Sequence, residues 1–195
     1  MSSRILIIDG HPDVAAGRYV HALADAYAKG AAEAGHDVRR ILVGKLRFAS
    51  VRSNADFATG TPPLSISEAQ ETLRWADHVV LLYPLWLGSM PGLLKSFLEQ
   101  LLRPGFAFAA AKGKGLPRKL LQGKSARIVV TMGMPAFFYR WYYRAHSLKS
   151  LERNILAFCG ISPVRASIVG MVEGMSQRKR EQWLAKMQAL GRLAR

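Results

Sequence analysis

The middle of the chain contains an apolar loop with the sequence Tyr83-Pro84-Leu85-Trp86-Leu87-Gly88-Ser89-Met90-Pro91. The residues before it, 78–82, form an almost continuous apolar run, which is typical of a strand buried on both faces of a parallel sheet. Pro91 suits the first turn of a helix, and apolar residues then recur at helical spacing (Leu93, Leu94, Phe97, Leu98, Leu101 and Leu102). The segment therefore predicts a loop at the carboxyl end of a central strand, where open α/β sheets bind ligands.

The rest of the chain alternates between the same two patterns. Runs rich in Ile, Val and Leu predict five strands, at residues 4–8, 38–43, 78–83, 126–132 and 164–169. Helical patterns lie between and after the strands, at about 16–34, 66–76, 91–103, 147–158 and 177–194. These units predict one domain, residues 1–195, with a parallel sheet, right-handed crossovers and helices on both faces. Residues 44–65 and 103–123 are expected to be surface excursions.

Composition favours a cytoplasmic protein. The first residues lack the apolar length of a secretory signal. The longest apolar region, 79–102, is interrupted by prolines, glycines and charges, so we expect no membrane span. The single cysteine, Cys159, lies among apolar residues and is expected to be a small core residue rather than a redox thiol.

The chain has a large excess of positive charge: 28 Lys and Arg against 13 Asp and Glu give a net charge of +15. Much of it lies in three clusters, at residues 112–127, 140–153 and 178–195. Such charge attracts phosphates, anionic lipids and nucleic acids. Because no helix-turn-helix, zinc-ligand or base-stacking pattern accompanies the clusters, we do not expect nucleic-acid binding as the main function. A positive rim that attracts a phosphorylated cofactor is the simpler interpretation.

Several short motifs suggest other chemistry, but each lacks a residue or a structural setting that the chemistry requires. Gly123-Lys124-Ser125 is similar to the end of a P-loop, but Arg118 stands where that motif needs glycine, and a strand follows. Gly113-Lys114-Gly115 lacks the third glycine and the strand-to-helix setting of a dinucleotide fingerprint. The histidines show no metal-ligand spacing, and no Gly-x-Ser-x-Gly elbow occurs. Nucleotide triphosphatase, Rossmann dehydrogenase, metal-dependent and serine-hydrolase functions are all disfavoured.

Three loops are predicted to share one edge of the sheet. The first, residues 9–18, enters a helix whose free N–H groups and positive dipole end favour a phosphate, to which Arg18 adds a charge. The second offers Trp86 and Leu87 as an apolar wall for a flat heteroaromatic ring. In the third, residues 131–135, the small Gly133 allows the backbone to approach the same ring. A phosphate at one end and a ring at the other describe a mononucleotide site.

The segment 83–95, followed by Pro104-Gly105-Phe106-Ala107-Phe108, resembles the flavodoxin-like NAD(P)H dehydrogenase (quinone) family, which includes quinone reductases and ancillary oxidoreductases of potassium efflux systems. His11-Pro12, the turn at 131–133 and Phe158-Cys159-Gly160 follow in the family's order, so the resemblance spans nearly the whole chain. It implies a flavodoxin-like three-layer sandwich with strand order 2-1-3-4-5. It also implies a homodimer with the active site at its interface, FMN or FAD as cofactor, and electron transfer from NADPH or NADH to quinone-like acceptors.

The resemblance also implies residue roles by position. The residues implied to bind the flavin are His11, Ala16, Gly17, Arg18, Pro84, Leu85, Trp86, Leu87, Thr131, Gly133 and Met134. The first four would contact its phosphate and the others its ring. Tyr139 and His146 align with a tyrosine and a histidine that assist hydride transfer in some relatives. Ala16 replaces a serine usual in the family, and Met134 a second glycine of the third loop.

Two other classes of function stay open at this point. A regulatory or ancillary subunit of a membrane transporter would keep the fold and the flavin with little turnover of its own. A binder of nucleic acid or anionic surfaces would show a steep salt dependence and no flavin. The aromatic run at 137–143 is interpreted as a lid or dimer contact, or as simple packing.

Overall fold

The structure is a computed structural model that describes residues 2–109, 111 and 115–195. Lys112 and Lys114 of the first basic cluster, and Gly113 of the rejected dinucleotide pattern, lie outside the described residues. The strands are β1 (Arg4–Asp9), β2 (Asp37–Leu42), β3 (His78–Pro84), β4 (Phe108–Ala109), β5 (Arg118–Lys119), β6 (Ser125–Thr131) and β7 (Val164–Val169). The helices are α1 (Tyr19–Glu33), α2 (Asn54–Thr59), α3 (Leu64–Trp75), α4 (Gly92–Leu101), α5 (Ala136–Trp141), α6 (His146–Ser150), α7 (Ala157–Cys159) and α8 (Gln177–Arg192).

Five strands form one parallel sheet in the order β2-β1-β3-β6-β7, which confirms the predicted architecture. Successive residues of each inner strand face opposite sides. Ile5 and Ile7 of β1 pack with α1 and α8, whereas Leu6 and Ile8 pack with α3 and α4. Because both faces are covered, β3 is buried along its whole length, as its continuous apolar run predicts.

The predicted elements and the observed ones differ mainly in short segments. Helix α1 begins at Tyr19, so Ala16, Gly17 and Arg18 form a turn before it rather than its first residues. The two predicted excursions contain α2, the start of α3 and the β4–β5 hairpin. A π-helical turn, Leu151–Leu156, joins α6 to α7, so residues 146–159 form one continuous helical segment.

The strand order places a topological switch point between β1 and β3. The chain moves from β1 to β2 on one side and returns past β1 to β3 on the other. Loops that leave the carboxyl ends of strands at such a point diverge and leave a crevice. Among the described residues, no helix has the length and apolar character needed to cross a membrane. Cys159 is buried as expected, and burial raises the pKa of its thiol to about 11.

Candidate functional site

The loops after β1, β3 and β6 meet around a crevice of about 580 Å³ at the carboxyl edge of the sheet. We call it the central cleft. Its lining comes from these three loops, the start of α1, the segment after β7 and the first turn of α8: His11, Asp13, Gly17, Arg18, Tyr19, Val20, Pro84, Leu85, Trp86, Thr131, Met132, Gly133, Val172, Glu173 and Arg180.

Eight of the eleven residues predicted to bind the flavin line this cleft: His11, Gly17, Arg18, Pro84, Leu85, Trp86, Thr131 and Gly133. Ala16 is exposed beside the cleft but does not line it. Leu87 and Met134 line a neighbouring cleft instead, together with Tyr139 and His146. The structure thus brings the three predicted loops together and divides the predicted residues between two adjacent spaces.

The first loop is held by hydrogen bonds around His11. The backbone N–H of His11 donates to Asp9 Oδ1 (3.2 Å), and the N–H of Asp13 donates to His11 Nδ1 (3.0 Å). Burial lowers the pKa of His11, and the nearby His21 ring lowers it further. His11 is therefore neutral at neutral pH, and because Nδ1 accepts a hydrogen bond, its proton lies on Nε2 as a donor.

The loop is also fastened to α1 through His21. Its Nδ1 lies 2.5 Å from Oδ2 of the buried Asp9, and its Nε2 lies 3.0 Å from the carbonyl oxygen of Asp13. Both ring nitrogens of His21 thus face oxygen atoms of the loop. Sequence reasoning missed this contact because His21 is an ordinary helical residue in the pattern of α1.

Two arginines bring positive charge to the central cleft. Arg18 donates through Nε to Asp13 Oδ2 (2.7 Å), so part of its charge is already compensated by a residue of its own loop. Arg180 donates through Nη2 to the carbonyl of Val172 (2.6 Å), and its guanidinium lies over the Tyr19 ring at 5.0 Å. Arg180 is therefore a fixed cation at the cleft. The sequence shows it only as one member of the third basic cluster.

The second loop is a tight turn from Trp86 to Ser89. Trp86 N–H donates to the Ser89 carbonyl (2.9 Å) and Ser89 N–H to the Trp86 carbonyl (3.0 Å). Both central residues have positive φ, Leu87 at 47° and Gly88 at 79°, as in a type I′ turn. For leucine this conformation costs roughly 1–2 kcal/mol. Leu87 is thus fully exposed at the tip, whereas Trp86 faces the cleft and meets the His11 ring edge-on at 5.8 Å.

Two glycines leave open space at the edges of the central cleft. A Cβ added to Gly17 would meet no described atom within 4 Å, and one added to Gly133 would meet only Glu173, at 3.8 Å. The first backbone N–H groups of α1, at Tyr19 and Val20, lie at the same cleft and have no partner within the helix. Anion donors, an apolar wall at Trp86 and these open glycine edges fit a flat ring that carries a phosphate, as a flavin nucleotide does.

The neighbouring space, which we call the aromatic cleft, has a volume of about 650 Å³. Its lining is Leu85, Leu87, Gly88, Met134, Tyr139, Tyr142, Tyr143, His146 and Ser147. Leu85 lines both clefts, so the two spaces adjoin at this residue. Its backbone N–H donates to the carbonyl of Thr131 (2.7 Å), which fixes this boundary to the end of β6.

The two residues predicted to be catalytic differ in exposure. Tyr139 is 2% exposed, and its hydroxyl accepts a hydrogen bond from Leu148 N–H (3.2 Å) and shares one with Ser147 Oγ (2.8 Å). Its hydroxyl thus positions the start of α6. His146 is exposed and lines the aromatic cleft. Their catalytic roles stay predictions.

The family of the chain follows from its fold and from sequence comparison. The family described as "Flavodoxin-like fold" matches residues 3–190. The chain belongs to this flavodoxin-like family. Among solved structures, NAD(P)H:quinone oxidoreductase from Methanothermobacter marburgensis has a TM-score of 0.83 at 21% identity, covering 98% of this chain and 96% of that one. An FMN-dependent NADH-azoreductase from Bacillus anthracis, in complex with FMN, has a TM-score of 0.79 at 18% identity and covers 100% of both chains.

Curated relatives of this flavodoxin-like chain include two proteins with oxidoreductase names and one named as an ancillary protein of a potassium-efflux system. It is 28% identical over 123 residues to an uncharacterized NAD(P)H oxidoreductase of Haemophilus influenzae, covering 63% of this chain and 60% of that protein. It is 31% identical over 143 residues to human ribosyldihydronicotinamide dehydrogenase [quinone], covering 60% and 57%. It is 38% identical over 77 residues to the glutathione-regulated potassium-efflux system ancillary protein KefG of Cronobacter sakazakii, covering 40% and 39%. The matched segment thus spans 60% or less of each of these relatives.

Proposed function

We propose that this flavodoxin-like chain is a flavin-dependent NAD(P)H oxidoreductase that reduces quinones or related planar acceptors. The convergence of three loops on the central cleft carries the proposal. A phosphate would lie at the start of α1, among Gly17, Arg18 and Tyr19, and Arg180 would add a second cation. The names of the relatives, NAD(P)H oxidoreductase and quinone dehydrogenase, support the same class of reaction.

The cofactor we infer is FMN or FAD. Its ring would lie along Pro84, Leu85 and Trp86, with Thr131 and Gly133 at its edge. When bound, a flavin takes a hydride from NADPH or NADH and passes two electrons to an acceptor. The protein would orient the ring through the rigid turn at Trp86, and backbone N–H groups of the loops after β3 and β6 would stabilise negative charge on it.

We infer that nicotinamide and acceptor use the aromatic cleft in turn. It adjoins the central cleft at Leu85, and its three tyrosine rings with Leu85, Leu87 and Met134 give it a largely aromatic and apolar lining that suits flat aromatic ligands. His146 would assist proton transfer from its exposed position. Tyr139 would act through Ser147, whose hydroxyl it contacts and which lines this cleft.

We further infer that two copies of the chain pack over this region. Phe137 and Trp141 of α5 are 72% and 80% exposed, and Leu87, which lines the aromatic cleft, is fully exposed. Large exposed aromatic patches mark protein interfaces. Sedimentation velocity at micromolar concentration is expected to give a dimer, and the double variant Phe137→Ser/Trp141→Ser a monomer that remains folded. A monomeric wild-type protein would contradict the assembly.

An ancillary role at a membrane transporter is the second candidate. The similarity to KefG supports it, since that relative is named as an ancillary protein of a potassium-efflux system. Such a subunit would retain the flavin but show negligible turnover with nicotinamide and quinone. The two candidates therefore share a cofactor and differ in catalysis.

The decisive experiment is spectroscopic. The purified protein, supplied with FMN or FAD, is expected to show a flavin spectrum that NADPH or NADH bleaches without oxygen and a quinone restores. Trp86→Ala should weaken flavin retention, and Arg18→Ala should raise the flavin dissociation constant, whereas Arg178→Ala, outside the cleft lining, serves as a charge-matched control. A protein that binds neither flavin would overturn both candidates, and bound flavin without turnover would leave only the ancillary one.

A further inference from the structure

A third space adjoins the aromatic cleft and has a different chemical character. It has a volume of about 930 Å³ and is lined by Gly88, Ser89, Met90, Gly92, Lys95, His146, Ser147, Lys149, Ser150, Arg153, Asn154 and Ile155. We call it the basic cleft. It shares Gly88, His146 and Ser147 with the aromatic cleft, so the two spaces are direct neighbours.

The positive charge of the basic cleft comes mainly from one side of a helical segment. His146, Lys149 and Arg153 recur every three or four residues, so they lie along one stripe of residues 146–159. Ser150 and Asn154 add hydroxyl and amide donors one residue further along. Among the described residues, no aspartate or glutamate lines this cleft.

The charges on this stripe are not explained by the fold. Lys95 forms an ion pair with Glu99, whereas Lys149 and Arg153 have no carboxylate partner among the described residues. Like charges four residues apart destabilise a helix. The same segment contains the π-helical turn Leu151–Leu156, a rare feature that is frequent at functional sites. An anionic ligand would explain why both charges are tolerated.

We propose that the basic cleft binds the adenosine phosphates of NADPH while the nicotinamide lies in the aromatic cleft. This inference rests on the proposed oxidoreductase function. Two neighbouring clefts, one lined by aromatic side chains and the other by cations, match a dinucleotide with a flat ring and several phosphates. The 2′-phosphate, present in NADPH and absent from NADH, gains the most from Lys149 and Arg153. The chain therefore prefers NADPH.

The test uses 2′,5′-ADP, which carries the adenosine 2′-phosphate and 5′-phosphate of NADPH but neither the second phosphate of the pyrophosphate nor the redox-active ring. Calorimetry with the flavin-loaded protein is expected to show binding that weakens about tenfold in Lys149→Gln/Arg153→Gln, a free energy of about 1.4 kcal/mol. The control is Arg178→Gln/Lys179→Gln, which removes the same charge from exposed positions of α8 outside the three clefts. It should leave binding within about twofold. Unchanged flavin content and circular dichroism will show that both variants are folded.

Turnover provides a second readout. In Lys149→Gln/Arg153→Gln, called here the cleft variant, the KM for NADPH should rise about tenfold with kcat unchanged, because binding is lost equally in the ground and transition states. The KM for NADH should change much less. Equal losses of NADPH and 2′,5′-ADP affinity in the two double variants would mean general attraction by the charged surface. No loss of affinity in the cleft variant would mean that the phosphates bind elsewhere. Either result overturns the inference.

Failure of the proposed function can be told apart from failure of this inference. If NADPH does not reduce the flavin but 2′,5′-ADP binds with the expected loss in the cleft variant, the oxidoreductase function is wrong and a phosphate site remains. If turnover is normal and 2′,5′-ADP binding does not depend on Lys149 and Arg153, the oxidoreductase function remains and the phosphate site is wrong.

Discussion

The amino and carboxyl edges of the sheet are built differently. At the amino edge, Arg4 pairs with Asp77 at 2.6 Å, and Lys124 Nζ donates to the carbonyl of Arg74 at 2.8 Å. Helices α1 and α8 also approach closely near this edge. A Cβ added to Gly191 would lie 2.1 Å from the Tyr27 carbonyl oxygen. The charged side chains of Arg4, Asp77 and Lys124 are thus used for internal contacts.

The carboxyl edge has backbone strain and exposed apolar surface in addition to its own polar contacts. Among the described residues, five non-glycine positions have positive φ; Leu87 follows β3, Met171 follows β7, and Arg144 and Ala145 lie between α5 and α6. Strained backbone persists where function or surrounding structure requires it. The comparison shows that backbone strain is concentrated at the edge that holds the clefts, whereas contacts such as Arg4–Asp77 close the other edge. The four predictions below test this division.

The largest effect is expected from Gly191→Val at the α1–α8 contact. The new side chain would collide with backbone atoms of Tyr27 and Ala31, which cannot move without separating the helices. Urea unfolding should show that the free energy of unfolding falls by about 3 kcal/mol. Gly92→Ala is the control, because a Cβ there meets no described atom within 4 Å. Similar losses in both variants would contradict the close packing.

The next effect concerns His78, the first residue of β3. Burial lowers the pKa of His78 from 6.5 to about 4. Below pH 6.5 the unfolded chain binds this proton and the folded chain does not, so stability should fall by about 2 to 3 kcal/mol as the pH drops to about 4. His78→Phe keeps an aromatic ring and removes the titration. Parallel stability curves for the two proteins across this range would contradict the expectation.

At the carboxyl edge, Arg180→Gln should raise the flavin dissociation constant about tenfold, or about 1.4 kcal/mol, because a fixed cation at the central cleft is lost. Fluorescence titration of the flavin-free protein measures this change. Arg178→Gln removes an exposed charge two residues away and should leave the constant unchanged. An equal rise in both variants would point to general electrostatics.

The smallest effect is expected from Asp77→Asn. A hydrogen bond from Arg4 lowers the pKa of Asp77 to about 2. The Asp77 side chain is 45% exposed, so solvent reduces the contribution of the ion pair to the free energy of unfolding to about 1 kcal/mol or less. The higher stability of the wild-type protein over Asp77→Asn should be complete above pH 4 and disappear as the pH falls through 2. An advantage that persists at pH 2 would mean that the charge is not its source.

The sheet could be predicted from the sequence because its strands are continuous apolar runs. Each predicted strand matches an observed one within one residue at either end, and β7 matches at both. The six-residue helices α2 and α5 and the two-residue strands of the hairpin were missed. Such short elements contain too few residues for a period to be recognised, and their surroundings determine them.

The site could be predicted only where it follows the ends of strands. Gly17, Trp86 and Gly133 come soon after β1, β3 and β6, so the sheet brings them together. Glu173 reaches the central cleft from the segment before α8, and Arg180 reaches it from the first turn of α8. No local pattern in the sequence indicates that either residue lies at the cleft. The division between two clefts was also missed, because it depends on the direction of single side chains such as Leu87 and Met134.

The fixed backbone of Leu85 has a kinetic consequence. Since Leu85 is bonded to β6 and the adjoining turn closes on itself, a ligand in one cleft can be exchanged while the neighbouring cleft keeps its shape. Under the proposed function, a tightly held prosthetic group would stay in place through many cycles while smaller molecules bind against it and leave. Double-reciprocal plots of the initial rate for donor and acceptor should accordingly give parallel lines, as expected when both use one binding place in turn.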